Sequence, residues 1–298
     1  MSMQPLRTGL SGLTLALVPL STGAAREIVG NRFFPATLTI DDPGVNDELA
    51  LPTVDSFKTG DETAVRQRNV SSEFSKRITE DFAVSFGTTY TFLSPTDPTA
   101  AGANGFQNLN TMFKCRLFKN PEHEFGMSVG VSVDWGGSGD ESVGADVFNI
   151  YIPNIYFGKG SGDLPDTLSW IRPVALTGQI GYAIPQRNFN ILVGIDPDSG
   201  LQTINTTFNP QILNWGFSFQ YSMPYLKSAV VDLGLPDIID RLIPLVEANL
   251  QTPVANTLTS GTMTTGTINP GMIWVGNIFQ LGIEALIPIN HQSGTLSG

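Results

Sequence analysis

Residues 123–135 read HEFGMSVGVSVDW, and their alternation guides the interpretation of the rest of the chain. Apolar side chains occupy every second position from Phe125 to Val133, while glycine and serine fill the positions between them. A period of two is typical of an extended strand with one apolar and one polar face. Strands of soluble domains usually have about 5–6 residues, whereas tilted strands that cross a bilayer need about 9–11. The stretch therefore predicts a strand long enough to cross a membrane.

The same alternation recurs along most of the chain, most clearly in Phe82 to Leu93 and Gln211 to Met223. Eleven strands are expected, with starts near residues 51, 68, 82, 106, 123, 147, 171, 209, 242, 268 and 277. Short turns then fall on one side, at 79–81, 119–122 and 276–277. Long loops fall on the other side, at 94–105, 136–146, 185–208 and 253–267. This arrangement predicts an all-β fold, an antiparallel up-and-down transmembrane β-barrel.

The number of expected strands is odd, whereas bacterial single-chain barrels have an even number. The chain ends HQSGTLSG, which has the composition of a loop and not of a strand. We therefore expect a barrel of about twelve strands whose last strand is missing, and we interpret the chain as truncated at its C-terminus.

The N-terminus has the features of a signal peptide, predicted over residues 1–25. Arg7 is the only charged residue before Arg26, and the apolar run that follows Arg7 is too short to span a membrane. Small residues allow cleavage after Ala24 or Ala25. We therefore expect export, and the barrel pattern places the protein in the outer membrane of a bacterium.

Two segments of the mature chain depart from the strand pattern. Residues 26–50 lack a sustained period and are expected to form an irregular periplasmic segment or a plug, whereas residues 51–298 form the barrel. Residues 224–241 instead show helical spacing, interrupted by Gly234 and Pro236, and predict a short helical insert. The insert could pack on the barrel rim, lie at the membrane surface or dock a partner.

The composition excludes several classes of protein. The net charge is −11, so the chain lacks the basic surface that nucleic-acid binding requires. Charged residues make up only 14% of the chain, below the roughly 25% of typical soluble domains. The single cysteine, Cys115, excludes an internal disulfide framework. No catalytic residue, metal site or cofactor is predicted.

If the apolar faces contact lipid, the polar faces line the interior of the barrel. The candidate lumen-lining residues are Lys114, Arg116, Asp134, Gln179, Asn214, Gln220, Glu247, Asn249, Gln280 and Glu284. Their charges have two interpretations: they set a field that selects solutes, or they pair with one another in a filled interior. Residues 26–50 and the insert at 224–241 are the candidate plugs.

Aromatic residues near the expected strand ends are candidates for the membrane interface, where Trp and Tyr are enriched. They are Trp135, Tyr151, Tyr156, Trp170, Tyr221 and Trp274.

Several segments resemble a known family. They are REIVGNRFFPATLTIDDP (26–43), NPEHEFGMSVG (120–130), YFGKGSGDLPD (156–166), QYSMPYLKSAVVDLGLPD (220–237) and VEANLQTPV (246–254). They are similar to bacterial outer-membrane proteins of the family named for the phenol meta-degradation pathway. The resemblance implies an exported β-barrel that passes small compounds, aromatic or hydrophobic ones in particular. It implies no residue roles, and the missing last strand departs from the family pattern.

Other function classes remain as alternatives. A structural or adhesin-type barrel would act through its long acidic loops. An outer-membrane hydrolase is disfavoured, because neither His123 nor His291 lies beside a serine nucleophile motif. The expected partners are outer-membrane lipid, lipopolysaccharide and a small-molecule solute.

Overall fold

The computed structural model describes residues 13–19, 27–59, 65–97, 99–195, 201–277 and 279–294, with only the backbone described at 13–19, 27 and 192. Its strands are β1 (Leu13–Pro19), β2 (Glu27–Val29), β3 (Arg32–Phe34), β4 (Glu48–Lys58), β5 (Val65–Thr79), β6 (Phe82–Pro95), β7 (Ala103–Phe106), β8 (Leu109–Asn120), β9 (Phe125–Trp135), β10 (Ile150–Gly160), β11 (Val174–Pro185), β12 (Phe189–Ile195), β13 (Gln202–Phe208), β14 (Gln211–Tyr221), β15 (Leu242–Ala255), β16 (Thr265–Val275), β17 (Phe279–Ala285) and β18 (Ile287–Pro288). Two 3-10 turns span Glu141–Val143 and Asp166–Ile171.

Within the described residues, twelve strands pair antiparallel and close into a barrel. The order around the wall is β1, β4, β5, β6, β8, β9, β10, β11, β14, β15, β16 and β17, and β17 pairs with β1 again. The short strands β7 and β18 pair with β6 and β16, respectively. Each wall strand mostly pairs with its neighbour in sequence, so the barrel is of the up-and-down type. The predicted fold class is confirmed.

Eleven of the wall strands, from β4 to β17, are those that the sequence predicts. The twelfth wall strand differs from the prediction, because β1 fills the position expected for a missing C-terminal strand. The first and eleventh of these strands, β4 and β17, run in the same direction, so an all-antiparallel wall needs one further strand, antiparallel to both, between them. The signal peptide stays a prediction, and its cleavage site lies outside the described residues.

The outer surface of the wall is apolar. Large hydrophobic side chains that are each at least 40% exposed include Phe86, Phe113, Val131, Ile155, Ile180, Phe217, Phe219, Val246, Met272, Leu281 and Ile283. They occupy every second position of their strands, and the positions between them point into the barrel. A soluble domain buries such residues, so this outer surface is suited to a hydrocarbon environment.

The predicted loop at 185–208 is wrong, because β12 and β13 pair there as a two-stranded ribbon separate from the wall sheet. Phe189, Ile191 and Ile204 lie on this ribbon and are exposed. The run FNILVGI (189–195) is apolar with little alternation and is flanked by turn-forming residues, so the strand was not predicted.

The predicted helical insert at 224–241 is confirmed, with short helices α1 (Met223–Tyr225) and α2 (Asp237–Asp240) and a π-helical turn at Leu226–Val230. Gly234 lies between them with φ +65°, a backbone conformation that glycine adopts readily. An ion pair of 2.5 Å between Lys227 Nζ and Asp240 Oδ2 joins the two parts of the insert. Of the helices that the structure describes, none combines the length and hydropathy needed to span a membrane.

Candidate functional site

The interior of the barrel holds residues 27–47, here called the inner segment. Its hairpin, β2 and β3, is followed by an irregular chain that contacts wall strands on several sides. Asp41 Oδ2 accepts a hydrogen bond of 2.6 Å from Lys114 on β8, and Glu247 Oε2 on β15 accepts one of 3.0 Å from the Thr39 backbone N–H. The Asp41 N–H donates to Gln179 on β11 at 3.1 Å. A segment that contacts strands this far apart in the wall lies inside the barrel.

Glycines of the wall make room for the inner segment. A Cβ built at Gly158 on β10 would lie 3.1 Å from both Phe34 and Pro43, closer than ordinary packing allows. At Gly282 on β17, the corresponding atom would lie 3.2 Å from Leu38. These wall positions are therefore shaped by the segment that packs on them, and a larger side chain would collide with it.

One end of the inner segment is held by a buried arginine. The Arg32 side chain is 0% exposed, and its Nε lies 3.1 Å from Glu124 Oε2. The guanidinium also donates to the carbonyl oxygens of Pro173, at 2.9 Å, and Arg172. Its central carbon lies 3.8 Å from the centre of the Tyr225 ring, in the geometry of a cation–π contact. Arg32 thereby connects the inner segment with wall turns and the helical insert.

Glu124 completes this cluster from the turn between β8 and β9. It accepts hydrogen bonds from the Tyr225 hydroxyl at 2.9 Å and from the Gly162 N–H at 3.1 Å. Its backbone has φ +46°, which is uncommon for a residue other than glycine. Burial lowers the pKa of Arg32, although the Glu124 carboxylate opposes that shift. Burial and the hydrogen bond to Glu124 raise the pKa of Tyr225 to about 12.

Beside the inner segment the barrel contains a cavity of about 600 Å³ that is partly open to solvent. Its lining is acidic: the described lining residues include no lysine, arginine or histidine, and the acidic ones are Asp41, Glu48, Asp55, Glu73, Asp134 and Asp146. Asp41 pairs with Lys114, which lies behind the lining. Asn69 and Asn110 donate to Asp55 and Asp134, and these neutral amides supply no positive counter-charge. The cavity is thus suited to cationic or neutral polar groups.

The ten candidate lumen residues do not converge on one site. Lys114, Gln179 and Glu247 contact the inner segment, whereas Asp134 and Gln280 line the cavity. Beyond these groups, Arg116 lies near a turn, with its Nη1 3.3 Å from Asp81 Oδ1.

The four other candidates are spread over the wall. Gln220 is buried and donates to Thr177 and Ser218, and Glu284 is buried on β17. Asn214 and Asn249 are half-buried on the adjacent strands β14 and β15, away from the cavity lining. Predicting the face of a strand from its alternation therefore says little about which side chains act together.

Sequence reasoning missed several residues of the interior. Thr39 lies in the inner segment, which has no period, so no pattern could indicate its contact with Glu247. Asn269, fully buried on β16 opposite Glu247, could have been found because it alternates with Ile268 and Pro270. Glu73 on β5 belongs to a strand whose alternation is weak.

The structure also places one tyrosine and one histidine that the sequence analysis singled out. Tyr156, predicted at the membrane interface, is instead buried in the lumen, where the Lys114 ammonium lies 4.4 Å from the centre of its ring. Its register partners Ser128 and Gln179 also belong to the inner face, and its neighbour Ile155 is exposed, so the alternation of β10 itself places Tyr156 inside. His123 is exposed, and its Nδ1 lies 3.2 Å from Asp163 Oδ2.

Comparison with known proteins adds little to this description. No protein-family model matches the chain, and no curated protein is similar to it in a sequence search. Two solved β-barrel structures are similar at 10% identity. The CymD monoaromatic hydrocarbon channel has a TM-score of 0.39, over 93% of this chain and 87% of that chain. BamA from Haemophilus ducreyi lacking POTRA domains 1–3 has a TM-score of 0.34, over 94% and 67%. Likeness of this degree supports no functional argument, and the fold rests on the strand pairing described above.

Proposed function

We propose that the chain is an outer-membrane channel for small solutes and that the inner segment is its plug. The observation that supports this proposal best is the position of residues 27–47 inside a closed barrel, hydrogen-bonded to wall strands on several sides. A purely structural barrel has no need for a separate segment in its lumen. A channel that must be closed at rest does need one.

The apolar outer surface supports the membrane location. Alternating strands with exposed hydrophobic side chains would aggregate in water but are stable in lipid. The barrel has no unpaired wall strand among the described residues, which is the arrangement that a bilayer requires of β-structure.

The cavity lining supports a solute class. Its six carboxyl-bearing side chains would repel a carboxylate or phenolate and attract an ammonium group. A neutral aromatic compound, the class implied by the family resemblance, would cross without that penalty. We therefore propose small cationic or neutral solutes.

The test compares two identical substitutions at glycines of the wall. Gly158→Leu inserts a side chain where Phe34 and Pro43 lie, so it should expel the inner segment. Gly87→Leu is the matched control, because a Cβ there has its nearest neighbours at 3.8 Å, the side chains of Asn110 and Glu73. Single-channel recordings in planar bilayers measure the conductance of the full chain and both variants.

We expect low conductance from the unmodified protein, a several-fold larger conductance from Gly158→Leu and no increase from Gly87→Leu. Heat-dependent electrophoretic mobility checks that each variant is a folded barrel. A folded Gly158→Leu variant with unchanged conductance would contradict the plug, and silence from all three folded proteins would contradict the channel.

A further inference from the structure

Three adjacent wall strands place oxygen-bearing side chains together inside the barrel. Glu247 on β15 is the register partner of Asn269 on β16, and Glu284 on β17 is the partner of Gly271, two residues further along β16. All three side chains are at most 1% exposed. The carboxyl groups of Glu247 and Glu284 are also close enough to interact with each other.

The polar atoms of this group are incompletely satisfied. Thr39 of the inner segment donates to Glu247 Oε2 through its backbone N–H, at 3.0 Å, and through its hydroxyl, at 2.5 Å. The Thr39 hydroxyl in turn accepts a hydrogen bond of 3.2 Å from Asn269 Nδ2. Four oxygens lack a hydrogen bond of good geometry within the described part of the chain: Glu247 Oε1, Glu284 Oε1, Glu284 Oε2 and Asn269 Oδ1. The Leu38 backbone N–H and the Asn269 amide nevertheless lie near Glu284, and the Thr37 hydroxyl lies near Glu247.

No cationic side chain balances the two carboxylates. Among the described residues, neither Glu247 nor Glu284 forms an ion pair with a lysine, arginine or histidine. A buried carboxylate without a counter-charge is strongly unfavourable, and two adjacent ones also repel each other. The charge is therefore balanced either by a proton that the two carboxyl groups share or by a bound cation.

We propose that Glu247, Asn269 and Glu284 bind a calcium ion. Ca²⁺ takes six to eight oxygen ligands, which carboxylates, amide carbonyls and water supply. Its two positive charges match the two carboxylates. The four oxygens without a well-formed hydrogen bond are ligand atoms of the type that Ca²⁺ requires. The described chain has no cluster of three or more His, Cys, Asp or Glu side chains, so the amide oxygen of Asn269 is an essential ligand and water completes the shell.

The site lies beside the cavity and contacts the inner segment, so its position bears on how an ion enters and on how firmly the inner segment is held. Thr39, which donates to Glu247, and Gly282, two residues before Glu284 on the same face of β17, line the cavity, so an ion can enter from there. Thr39 is held by Glu247, so an ion that neutralises the carboxylates stabilises the contact between the inner segment and the wall. Calcium thereby holds the plug closed, a consequence that rests on the proposed function, whereas the binding site itself does not.

Calorimetric titration of the full chain, freed of metal by a chelator and held in detergent, tests the site with CaCl₂. We expect one calcium ion per chain and a loss of affinity of at least tenfold in Glu284→Gln, which keeps the shape but removes the charge. Asp163→Asn, which removes a carboxylate paired with Lys159 outside the cavity, is the matched control and should bind as the unmodified chain does. Absence of binding by the unmodified chain would overturn the site and indicate that the carboxyl pair shares a proton. An equal loss in Asp163→Asn would also overturn it.

Conductance of the unmodified chain with calcium and with chelator tests the closing effect separately. A several-fold rise in open probability on chelation, absent in Glu284→Gln, is the expected result. Calcium binding without that rise would overturn the closing effect but leave the site in place. Should Glu284→Gln fail to fold, Asn269→Leu, which removes an essential ligand and no charge, takes its place in both measurements.

Discussion

Replacing Arg32 with methionine should release one end of the inner segment. The side chain is fully buried, with an ion pair to Glu124 at 3.1 Å, two carbonyl acceptors and the Tyr225 ring around it. Methionine keeps much of the apolar volume but leaves the Glu124 carboxylate buried without its cation. Breaking a buried pair in this way costs about 3–5 kcal/mol.

The lower part of that range applies here, because Glu124 keeps its hydrogen bonds from Tyr225 and Gly162. A loss of about 3 kcal/mol corresponds to roughly a hundredfold shift in the equilibrium between docked and released segment, at 1.4 kcal/mol per tenfold. Single-channel recordings should therefore show a much higher open probability for Arg32→Met. Limited proteolysis of the same sample should cut near residue 32 faster.

Two further variants separate this mechanism from general destabilisation. Lys76→Met removes an ion pair of the inner segment with Asp47 at the surface, where the lysine side chain is 54% exposed, and should change little. Adding Glu124→Gln to Arg32→Met removes the unpaired charge and should restore much of the docking, because neutral replacements of buried pairs are often tolerated. If Arg32→Met behaves like Lys76→Met, or if the double variant opens further, the reasoning is refuted.

Four other outcomes follow from the structure. Lys114→Met should raise open probability as well, since it removes the 2.6 Å ion pair to the inner segment, and bilayer recordings check this. Neutralising the cavity with Glu73→Gln and Asp134→Asn should weaken cation over anion preference, measured as a reversal potential in a salt gradient; an unchanged potential would contradict a charge-lined path. The hydrogen bond from Lys76, together with the backbone N–H of Arg77, lowers the pKa of Asp47 below its usual 3.8, so its stabilisation is present above that pH and is lost as pH falls through the lowered pKa. Acid unfolding of Asp47→Asn should therefore lack that component. Cleavage after Ala24 or Ala25 would remove β1, the strand that joins β4 and β17, so mass spectrometry of the exported protein tests the signal peptide and the closing strand together. An N-terminus at residue 25 or 26 would confirm the signal peptide and leave β4 and β17 without β1, whereas an intact Met1 would contradict the signal peptide.

The wall of the barrel could be predicted from sequence because its signal is local. Each strand such as Gln211–Tyr221 alternates apolar and polar side chains, and a pleated strand turns that alternation directly into an outer and an inner face. The even number of strands follows from antiparallel closure. The identity of the twelfth strand does not, since any extended segment antiparallel to β4 and β17 satisfies the same pairing.

Alternation was a weaker guide where it was interrupted or where a side chain suits both faces. The ribbon of β12 and β13 was missed because its apolar run has no clear period. Tyr156 was placed outside because tyrosine is common at membrane interfaces, yet its pairing with Ser128 and Gln179 puts it on the inner face, where its ring packs against the Lys114 ammonium.

The sequence by itself therefore determined the barrel, the approximate positions of eleven wall strands and the polarity of its two surfaces, all of which depend on neighbours along the chain. Only the tertiary structure decided what fills the lumen. Asp41 meets Lys114 across 73 positions, and Arg32 meets Glu124 across 92. The inner segment has no period of its own, so its position depends on long-range ion pairs, on glycines that leave space for it and on the buried carboxyl groups that face it. Those contacts exist only after the wall has closed around the segment.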